Sequence, residues 1–264
     1  MNIAKIVREA REQTRLTALD FATGIFDDFV ELHGDRSFRD DGAVIGGIGW
    51  LGDQAVTVVG IQKGKSLQDN LNRNFGQPHP EGYRKALRLM KQAEKFGRPV
   101  VTFINTAGAY PGVGAEERGQ GEAIARNLME MSGIKTPIVS VVIGEGGSGG
   151  ALGLGVADKV FMLENSVYSV ISPEGCAAIL YKDPNRVEEA ANNLKLSSHS
   201  LLKIGLIDGI IDEALGGAHR GPEDTAFNLK KVVLEAVEEL EKLPVDELVE
   251  KRYEKFRQMG VFNR

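Results

Sequence analysis

The sequence predicts an α/β fold built on a mostly parallel sheet with helices packed against it. The middle of the chain repeats a unit of apolar strand, glycine-rich turn and helix, first over 100–131 and again over 138–157. Strands that alternate with helices are typical of parallel βαβ units. Glycine supplies 32 of the 264 residues, and the glycines cluster where strands end and helices begin. We therefore expect a functional site at these strand ends, because open α/β sheets bind ligands there.

The apolar pattern predicts the elements one after another, with helical spacing for helices and short β-rich runs for strands. They are, in chain order, a helix at 16–33, a hairpin of strands at 43–50 and 55–61 joined by a Gly-Asp turn, a long polar loop at 62–81, a helix at 82–95, a strand at 100–104, a loop at 106–114, a helix at 115–131, a strand at 138–143, a loop at 144–149, a helix at 150–157, strands at 160–163 and 167–171, and helices at 174–181, 222–243 and 246–259. No segment has the composition of a linker, so we expect one domain over 1–264. It would comprise an N-terminal helical segment at 1–40, a core at 41–220 and C-terminal helices at 221–264.

Length and composition exclude several classes of protein. Hydrophobic residues make up 42% and charged residues 26%, which are ordinary globular values. A chain of this length buries roughly three quarters of its unfolded surface, so intrinsic disorder and a small disulfide scaffold are excluded. The net charge of −5 argues against a generally basic nucleic-acid binder. The single cysteine, Cys176, excludes an internal disulfide and a structural zinc site built on several cysteines.

The same features predict the location of the protein. Residues 1–15 are charged throughout and lack the apolar centre of a signal peptide. No apolar run approaches the ~20 residues of a membrane span. We therefore expect a soluble, cytoplasmic protein that has neither a membrane nor a nucleic acid as a partner.

The most specific local motif runs from Gly144 to Gly150, where a strand leads into a glycine-rich turn that opens a helix. Backbone N–H groups in such a turn lack partners, and the helix dipole adds positive potential. The turn therefore suits a phosphate or an oxyanion. Three chemistries fit it, and the local pattern leaves all three open.

The first chemistry is NAD-type dinucleotide binding. Gly144, Gly146 and Gly149 match the G-x-G-x-x-G pattern, and Glu164 follows about twenty residues later. The helix that follows is short for a standard βαβ unit.

The second chemistry is serine-type hydrolysis of a thioester or another acyl group. Gly146, Ser148 and Gly150 match the G-x-S-x-G pattern between a strand and a helix. The partners of the serine would follow in the order expected for a triad, namely Asp208 or Asp212 and then His219.

The third chemistry is an oxyanion hole made only of backbone amides, which would stabilise a developing enolate oxygen. Removing one such donor typically costs about 10²–10³ in rate. This interpretation also uses the second glycine-rich loop, Thr106 to Gly112, at the end of the preceding strand. Loops that follow neighbouring parallel strands face one pocket. If neither loop binds a ligand, both are simply tight turns.

Several longer motifs occur in one order along the chain. They are NFG at 74–76, PEGYRKA at 80–86, AYPG at 109–112, EERGQ at 116–120, GEGGSGG at 144–150, YSVISPEG at 168–175 and LGGAH at 215–219. Together they resemble the alpha subunits of the carboxyltransferase component of bacterial acetyl-CoA carboxylases. The resemblance extends from about Leu19 to the region of Tyr253.

The resemblance implies a crotonase-like fold with flanking N- and C-terminal helices, in which backbone amides stabilise enolates. It also implies an enzyme subunit that is active only with a beta subunit, in an α2β2 heterotetramer. The alpha side would receive carboxybiotin from biotin carboxyl carrier protein, within a complex that includes biotin carboxylase. The beta side would bind acetyl-CoA and carry zinc, with no metal on this chain. The product would be malonyl-CoA, in the first committed step of fatty acid biosynthesis.

The matching motif positions imply the site residues. Gly149 and Gly150 would be the catalytic pair, donating their N–H groups to the ureido oxygen of biotin. The carboxybiotin side would otherwise be formed by Gly108, Ala109, Tyr110, Pro111, Gly112, Gly146, Gly147 and Ser148. The biotin nitrogen would itself take the proton from acetyl-CoA, so the protein would mainly position and preorganise. The roles of Arg118 and of the basic helix Arg84 to Lys91 stay open; we interpret the helix as a solvated face, with coenzyme A phosphates or an acidic carrier as the alternative.

Overall fold

The computed structural model describes residues 3–260, within which eight strands form one sheet with helices on both faces. The strands are β1 (Asp27–Glu31), β2 (Val44–Leu51), β3 (Gln54–Ile61), β4 (Val100–Thr106), β5 (Ile138–Gly147), β6 (Lys159–Leu163), β7 (Val167–Ser169) and β8 (Gly209–Ile211). The helices are α1 (Ile3–Ala10), α2 (Ala18–Ile25), α3 (Leu67–Asn72), α4 (Pro80–Phe96), α5 (Val113–Glu117), α6 (Gln120–Gly133), α7 (Ser148–Leu152), α8 (Pro173–Cys176), α9 (Val187–Leu194), α10 (Ser198–Lys203), α11 (Pro222–Leu240) and α12 (Val245–Gln258). No helix in this part of the chain is both long and apolar enough to cross a membrane.

The sheet is mixed but mostly parallel, as the sequence predicts. Its order is β1-β2-β3-β4-β5-β6-β8, and β7 pairs with the far end of β5. The first three strands are antiparallel neighbours, and β2 and β3 form the predicted hairpin. Every later pairing is parallel. The carboxyl ends of β4 and β5 therefore lie side by side.

Two apolar layers cover the sheet, one on each face. In β5, Val139 and Val141 pack into the layer that contains α2 and α11, whereas Ile138 and Val142 pack into the layer that contains α4 and α6. This alternation follows from the two-residue repeat of a strand. Parallel sheets need such cover on both faces.

The helix predicted over 16–33 is wrong beyond Ile25. α2 begins after Thr17, whose side chain completes a capping box, and it ends at Ile25. The chain then enters β1, which pairs with β2. A Cβ at Gly47 of β2 would lie 2.1 Å from the carbonyl oxygen of Val30, so the missing side chain allows this close pairing. The N-terminal segment is therefore part helix and part strand, because strand pairing outweighs the local helical spacing.

Several other elements differ from the prediction in extent. The loop predicted at 62–81 contains α3 and a 3₁₀ turn at Asn74–Gly76. The helix predicted at 115–131 is interrupted between α5 and α6, where Gly119 adopts a φ of 84°. The helix predicted at 174–181 is α8 followed by a π turn at Ala177–Tyr181. The two C-terminal helices are present as α11 and α12, and residues 261–264 of that segment lie outside the described residues.

Candidate active site

The glycine-rich motif lies mostly within a strand. The loop predicted at 144–149 is wrong, because β5 stays extended through Gly147. The glycine end of β5 pairs in parallel with β7, with Gly146 opposite Tyr168. α7 begins at Ser148, so the strand passes into the helix with no intervening loop.

The two glycine-rich segments pack directly against each other. A Cβ at Gly147 would lie 2.2 Å from the carbonyl oxygen of Ala107. A Cβ at Gly150 would lie 2.4 Å from the backbone nitrogen of Ala109 and 2.6 Å from the carbonyl carbon of Gly108. Only glycine permits a backbone to come so close. The structure thus brings Gly147 and Gly150 together with the loop that follows β4, and that both segments face one ligand pocket stays a prediction.

The first turn of α7 holds the predicted catalytic pair. Gly150 is buried against the β4 loop, whereas Gly149 is partly exposed and a Cβ there would meet only Cγ2 of Ile124, at 3.9 Å. The exposed Ser148 precedes them with a φ of 52°, in the left-handed region. N–H groups at the start of a helix have no partner within the helix. Gly149 and Gly150 therefore lie where hydrogen-bond donors are available.

Two amides of the predicted binding loop already have partners. The N–H of Gly108 donates to Oγ1 of Thr106, and the N–H of Tyr110 donates to the carbonyl oxygen of Pro78, each at 3.0 Å. These hydrogen bonds fix the shape of the loop. A part in substrate binding for Gly108 and Tyr110 stays a prediction, and it would use atoms other than these two N–H groups.

The remainder of this loop is held by side chains. Nε2 of Gln120, which is buried at the start of α6, donates to the carbonyl oxygen of Tyr110 at 3.0 Å. The ring of His79 stacks on the ring of Tyr110 with their centroids 4.2 Å apart. Burial lowers the pKa of His79, which favours a neutral ring in this stack. Pro111 is exposed, and Gly112 is the residue before α5.

An apolar cavity of about 300 Å³ lies beside the first turn of α7. Ser148 and Gly149 line it on the side of the candidate donors. Its other walls include Leu152, Tyr168, Leu201, Leu206 and Phe256. Burial raises the pKa of Tyr168 to about 12, so this wall stays uncharged at neutral pH. The first turn of α7 therefore borders an apolar space at Ser148 and Gly149, of the kind in which small molecules bind.

Charged side chains surround Glu145, which lies inside the glycine motif. Nε of Arg11 donates to one of its carboxylate oxygens at 2.7 Å, and Nζ of Lys63 donates to the other at 2.6 Å. Arg11 also binds Glu174 of α8 at 2.7 Å. Burial alone would raise the pKa of Glu145, but the two cations outweigh it and the pKa is lowered. Glu145 is therefore a paired carboxylate, and its pairs tie α1 and α8 to the end of β5.

The basic residues left open by the sequence are used within the chain. Arg118 binds Glu81 at 2.7 Å, and Arg84 binds the same carboxylate at 3.1 Å. Lys85 is fully buried and binds Asp40, so the predicted solvated face is wrong at this residue. These pairs connect α4 to neighbouring segments, and Arg88 of the same helix donates to the backbone carbonyl oxygens of Gly34 and His33.

The two alternative chemistries lack their geometry. Within residues 3–260, Ser148 makes no hydrogen bond to His219 or to another histidine, and Asp208 is used by β6 and α12. Gly144 and Gly146 lie in β5 and not in the turn that a dinucleotide fingerprint requires. In the same described region, no three His, Cys, Asp or Glu side chains are placed to hold one metal ion.

Sequence reasoning assigned no role to two buried side chains that hold α7. The hydroxyl of Tyr83 donates to the carbonyl oxygen of Gly150, and Nδ2 of Asn127 donates to that of Gly153, each at 3.0 Å. Gln120, which holds the other loop, also had no predicted role. The available signal was a polar end group on the inward face of a helix, since such a group needs a buried partner.

Comparison with known proteins decides the family. A family model described as acetyl co-enzyme A carboxylase carboxyltransferase-like matches residues 1–260. The chain belongs to this carboxyltransferase family.

Curated relatives extend the match over almost the whole chain. It is 76% identical over 258 residues to the acetyl-coenzyme A carboxylase carboxyl transferase subunit alpha of Fusobacterium nucleatum subsp. nucleatum, covering 98% of this chain and 82% of the relative. It is 70% identical over 257 residues to the protein of the same name from Streptococcus pneumoniae strain Hungary19A-6, covering 97% and 99%. The resemblance inferred from the motifs is therefore confirmed.

Solved carboxyltransferase-family structures share the fold. Transcarboxylase 12S, with hydrolysed methylmalonyl-coenzyme A bound, superposes with a TM-score of 0.71 at 18% identity, and the match covers 92% of this chain and 45% of that one. A Pseudomonas malonate decarboxylase hetero-tetramer in complex with coenzyme A gives a TM-score of 0.66 at 15% identity, covering 81% and 85%. The chain thus corresponds to about half of the transcarboxylase subunit. These structures confirm the predicted crotonase-like α/β fold.

Proposed function

We propose that this chain is the alpha-type subunit of an acetyl-CoA carboxylase carboxyltransferase, and that it binds carboxybiotin at the first turn of α7. The observation that carries the proposal is the contact of Gly147 and Gly150 with the loop after β4, next to which Gly149 lines an apolar cavity. The 70–76% identity to carboxyl transferase alpha subunits supports the same activity.

Within this proposal, the N–H groups of Gly149 and Gly150 donate to the ureido oxygen of biotin as negative charge develops there. Fixed donors in a water-poor site need no reorganisation during the reaction, so they stabilise the transition state more than the ground state. The apolar wall formed by Leu152, Tyr168 and Phe256 receives the ring and keeps water away. No ionisable side chain of this chain would be needed, since the biotin nitrogen, once free of its carboxyl group, would supply the base for acetyl-CoA.

The proposed assembly is an α2β2 heterotetramer with a beta subunit that binds acetyl-CoA and carries zinc. Carboxybiotin would arrive on biotin carboxyl carrier protein, from a complex with biotin carboxylase, and malonyl-CoA would leave. The name shared by the relatives, subunit alpha, supports a second type of subunit. A cytoplasmic location stays a prediction from the sequence.

The test is biocytin-dependent conversion of malonyl-CoA to acetyl-CoA by this chain together with a beta subunit. Gly149→Val leaves the backbone N–H in place but fills the space next to it, where a Cβ meets only Ile124. We expect this variant to fold and assemble normally and to lose at least about a hundredfold in turnover, as for loss of one oxyanion donor.

The matched control is Gly24→Val, because Gly24 is exposed on α2 and a Cβ there has nothing within 4 Å. It should retain wild-type turnover. Activity of this chain alone without biocytin, or wild-type turnover by Gly149→Val, would contradict the proposal.

A further inference from the structure

The carbonyl groups of α7 are not all satisfied in the same way. Those of Gly149, Ala151 and Leu152 each accept a backbone N–H from the following turn. The carbonyl oxygen of Gly150 instead accepts the hydroxyl of Tyr83, at 3.0 Å. A five-residue helix has too few internal hydrogen bonds to fix its own first turn. An outside donor is therefore one of the groups that determines where this turn lies.

Tyr83 is suited to this task. It lies in α4, it has no exposed surface, and its ring is packed against α7, since a Cβ at Gly153 would lie 2.7 Å from its Cε1. Burial raises the pKa of its hydroxyl, so the group stays protonated and remains a donor. The hydroxyl meets the residue whose own N–H is one of the two proposed catalytic donors.

We propose that Tyr83 is a positioning residue of the carboxyl transfer reaction. Its hydrogen bond to the carbonyl oxygen of Gly150 holds the first turn of α7 so that the donors of Gly149 and Gly150 meet the oxygen that becomes charged. Tyr83 touches no substrate and acts only through the α7 backbone. The inference rests on the proposed function of that pair.

The first variant is Tyr83→Phe, which keeps the ring and removes the hydroxyl. A displacement of about 1 Å from the reactive geometry lowers the reaction rate about a hundredfold. We expect kcat for biocytin-dependent decarboxylation of malonyl-CoA to fall about ten- to a hundredfold. KM for biocytin and for malonyl-CoA should stay within about twofold, because an effect confined to the transition state lowers kcat alone. Tyr253→Phe, on the exposed side of α12, is the matched control and should behave as the wild type.

The second variant is Gly153→Ala, which keeps the hydroxyl but pushes on the Tyr83 ring from the α7 side. It should show the same loss of kcat at unchanged KM. If Tyr83→Phe does not assemble with the beta subunit, Gly153→Ala still tests whether the position of the Tyr83 ring affects kcat.

The outcomes separate this inference from the proposed function. If Gly149→Val is inactive, two results for Tyr83→Phe would overturn only the role of Tyr83. One is full turnover, and the other is a raised KM at unchanged kcat. Full turnover in both Tyr83→Phe and Gly149→Val would overturn the donor site itself.

Discussion

Substituting Gly150 by alanine tests the contact on which the site depends. The added Cβ would lie 2.4 Å from the nitrogen of Ala109, whereas ordinary contacts begin at 3.4 Å, so about 1.0 Å (3.4 − 2.4) of movement is required. The atoms it meets are backbone, so either the β4 loop or the first turn of α7 must shift. Overpacking of this kind typically costs about 1–3 kcal/mol of unfolding free energy. A shift of about 1 Å at a reacting centre costs about a hundredfold in rate.

The measurements are thermal unfolding and biocytin-dependent decarboxylation of malonyl-CoA with the beta subunit present. At roughly 2–4 °C per kcal/mol, Gly150→Ala should lower Tm by several degrees, and its turnover should fall about a hundredfold. Gly149→Ala is the matched control for stability, because its Cβ meets only Ile124, at 3.9 Å, and its Tm should stay within about 2 °C of wild type. Equal Tm values and equal turnover for Gly150→Ala and the wild type would refute the packing argument.

Two further predictions concern stability. Arg252 is fully buried and binds both carboxylate oxygens of Asp158, at 2.8 and 2.7 Å. Arg252→Met should therefore lower the unfolding free energy by about 3–5 kcal/mol, because it leaves the Asp158 carboxylate without its charged partner. Urea titration measures this, and adding Asp158→Asn should recover part of the loss; an unchanged midpoint in the single variant would be inconsistent with a buried pair. The folded-state pKa of Glu145 lies below its ordinary value of about 4.5. The ion pairs of Glu145 therefore stabilise the folded state above about pH 4.5, and this stabilisation is lost as the pH falls through the folded-state pKa. Glu145→Gln should therefore be less stable than the wild type at pH 7, with a difference that shrinks on acidification below about pH 4.5 in the same titration; a pH-independent difference would exclude this linkage.

Local patterns predicted much of the architecture correctly. The hairpin of β2 and β3 and the two C-terminal helices appear near their predicted bounds, because each depends on periodicity and on nearby turn residues. The residues after Ile25 kept a helical spacing yet form β1, because β2 offers a glycine-lined edge to pair with. The glycines from Gly144 to Gly147 suggested a turn, yet they are extended because β4 and β7 flank them. In both cases a distant segment determined the conformation.

The candidate site, like the fold, was predicted only in part from the sequence. The motif around Gly149 and Gly150, and its likeness to a carboxyltransferase family, were visible in the sequence. The assignment of Tyr83, Gln120 and Asn127 to that site was not visible, because their partners lie between 10 and 67 residues away along the chain.

The sequence by itself determined the α/β class, the positions of the glycine-rich segments and the family, because these depend on local pattern and on motif order. Only the tertiary structure decided that Gly150 packs against Gly108 and Ala109, whereas Gly149 borders an apolar cavity. It also decided that Lys85 pairs with Asp40 and that Arg118 pairs with Glu81 within the chain. The physical reason is that close backbone contact and charge pairing depend on which segments meet in space, and the residue types alone do not specify those meetings.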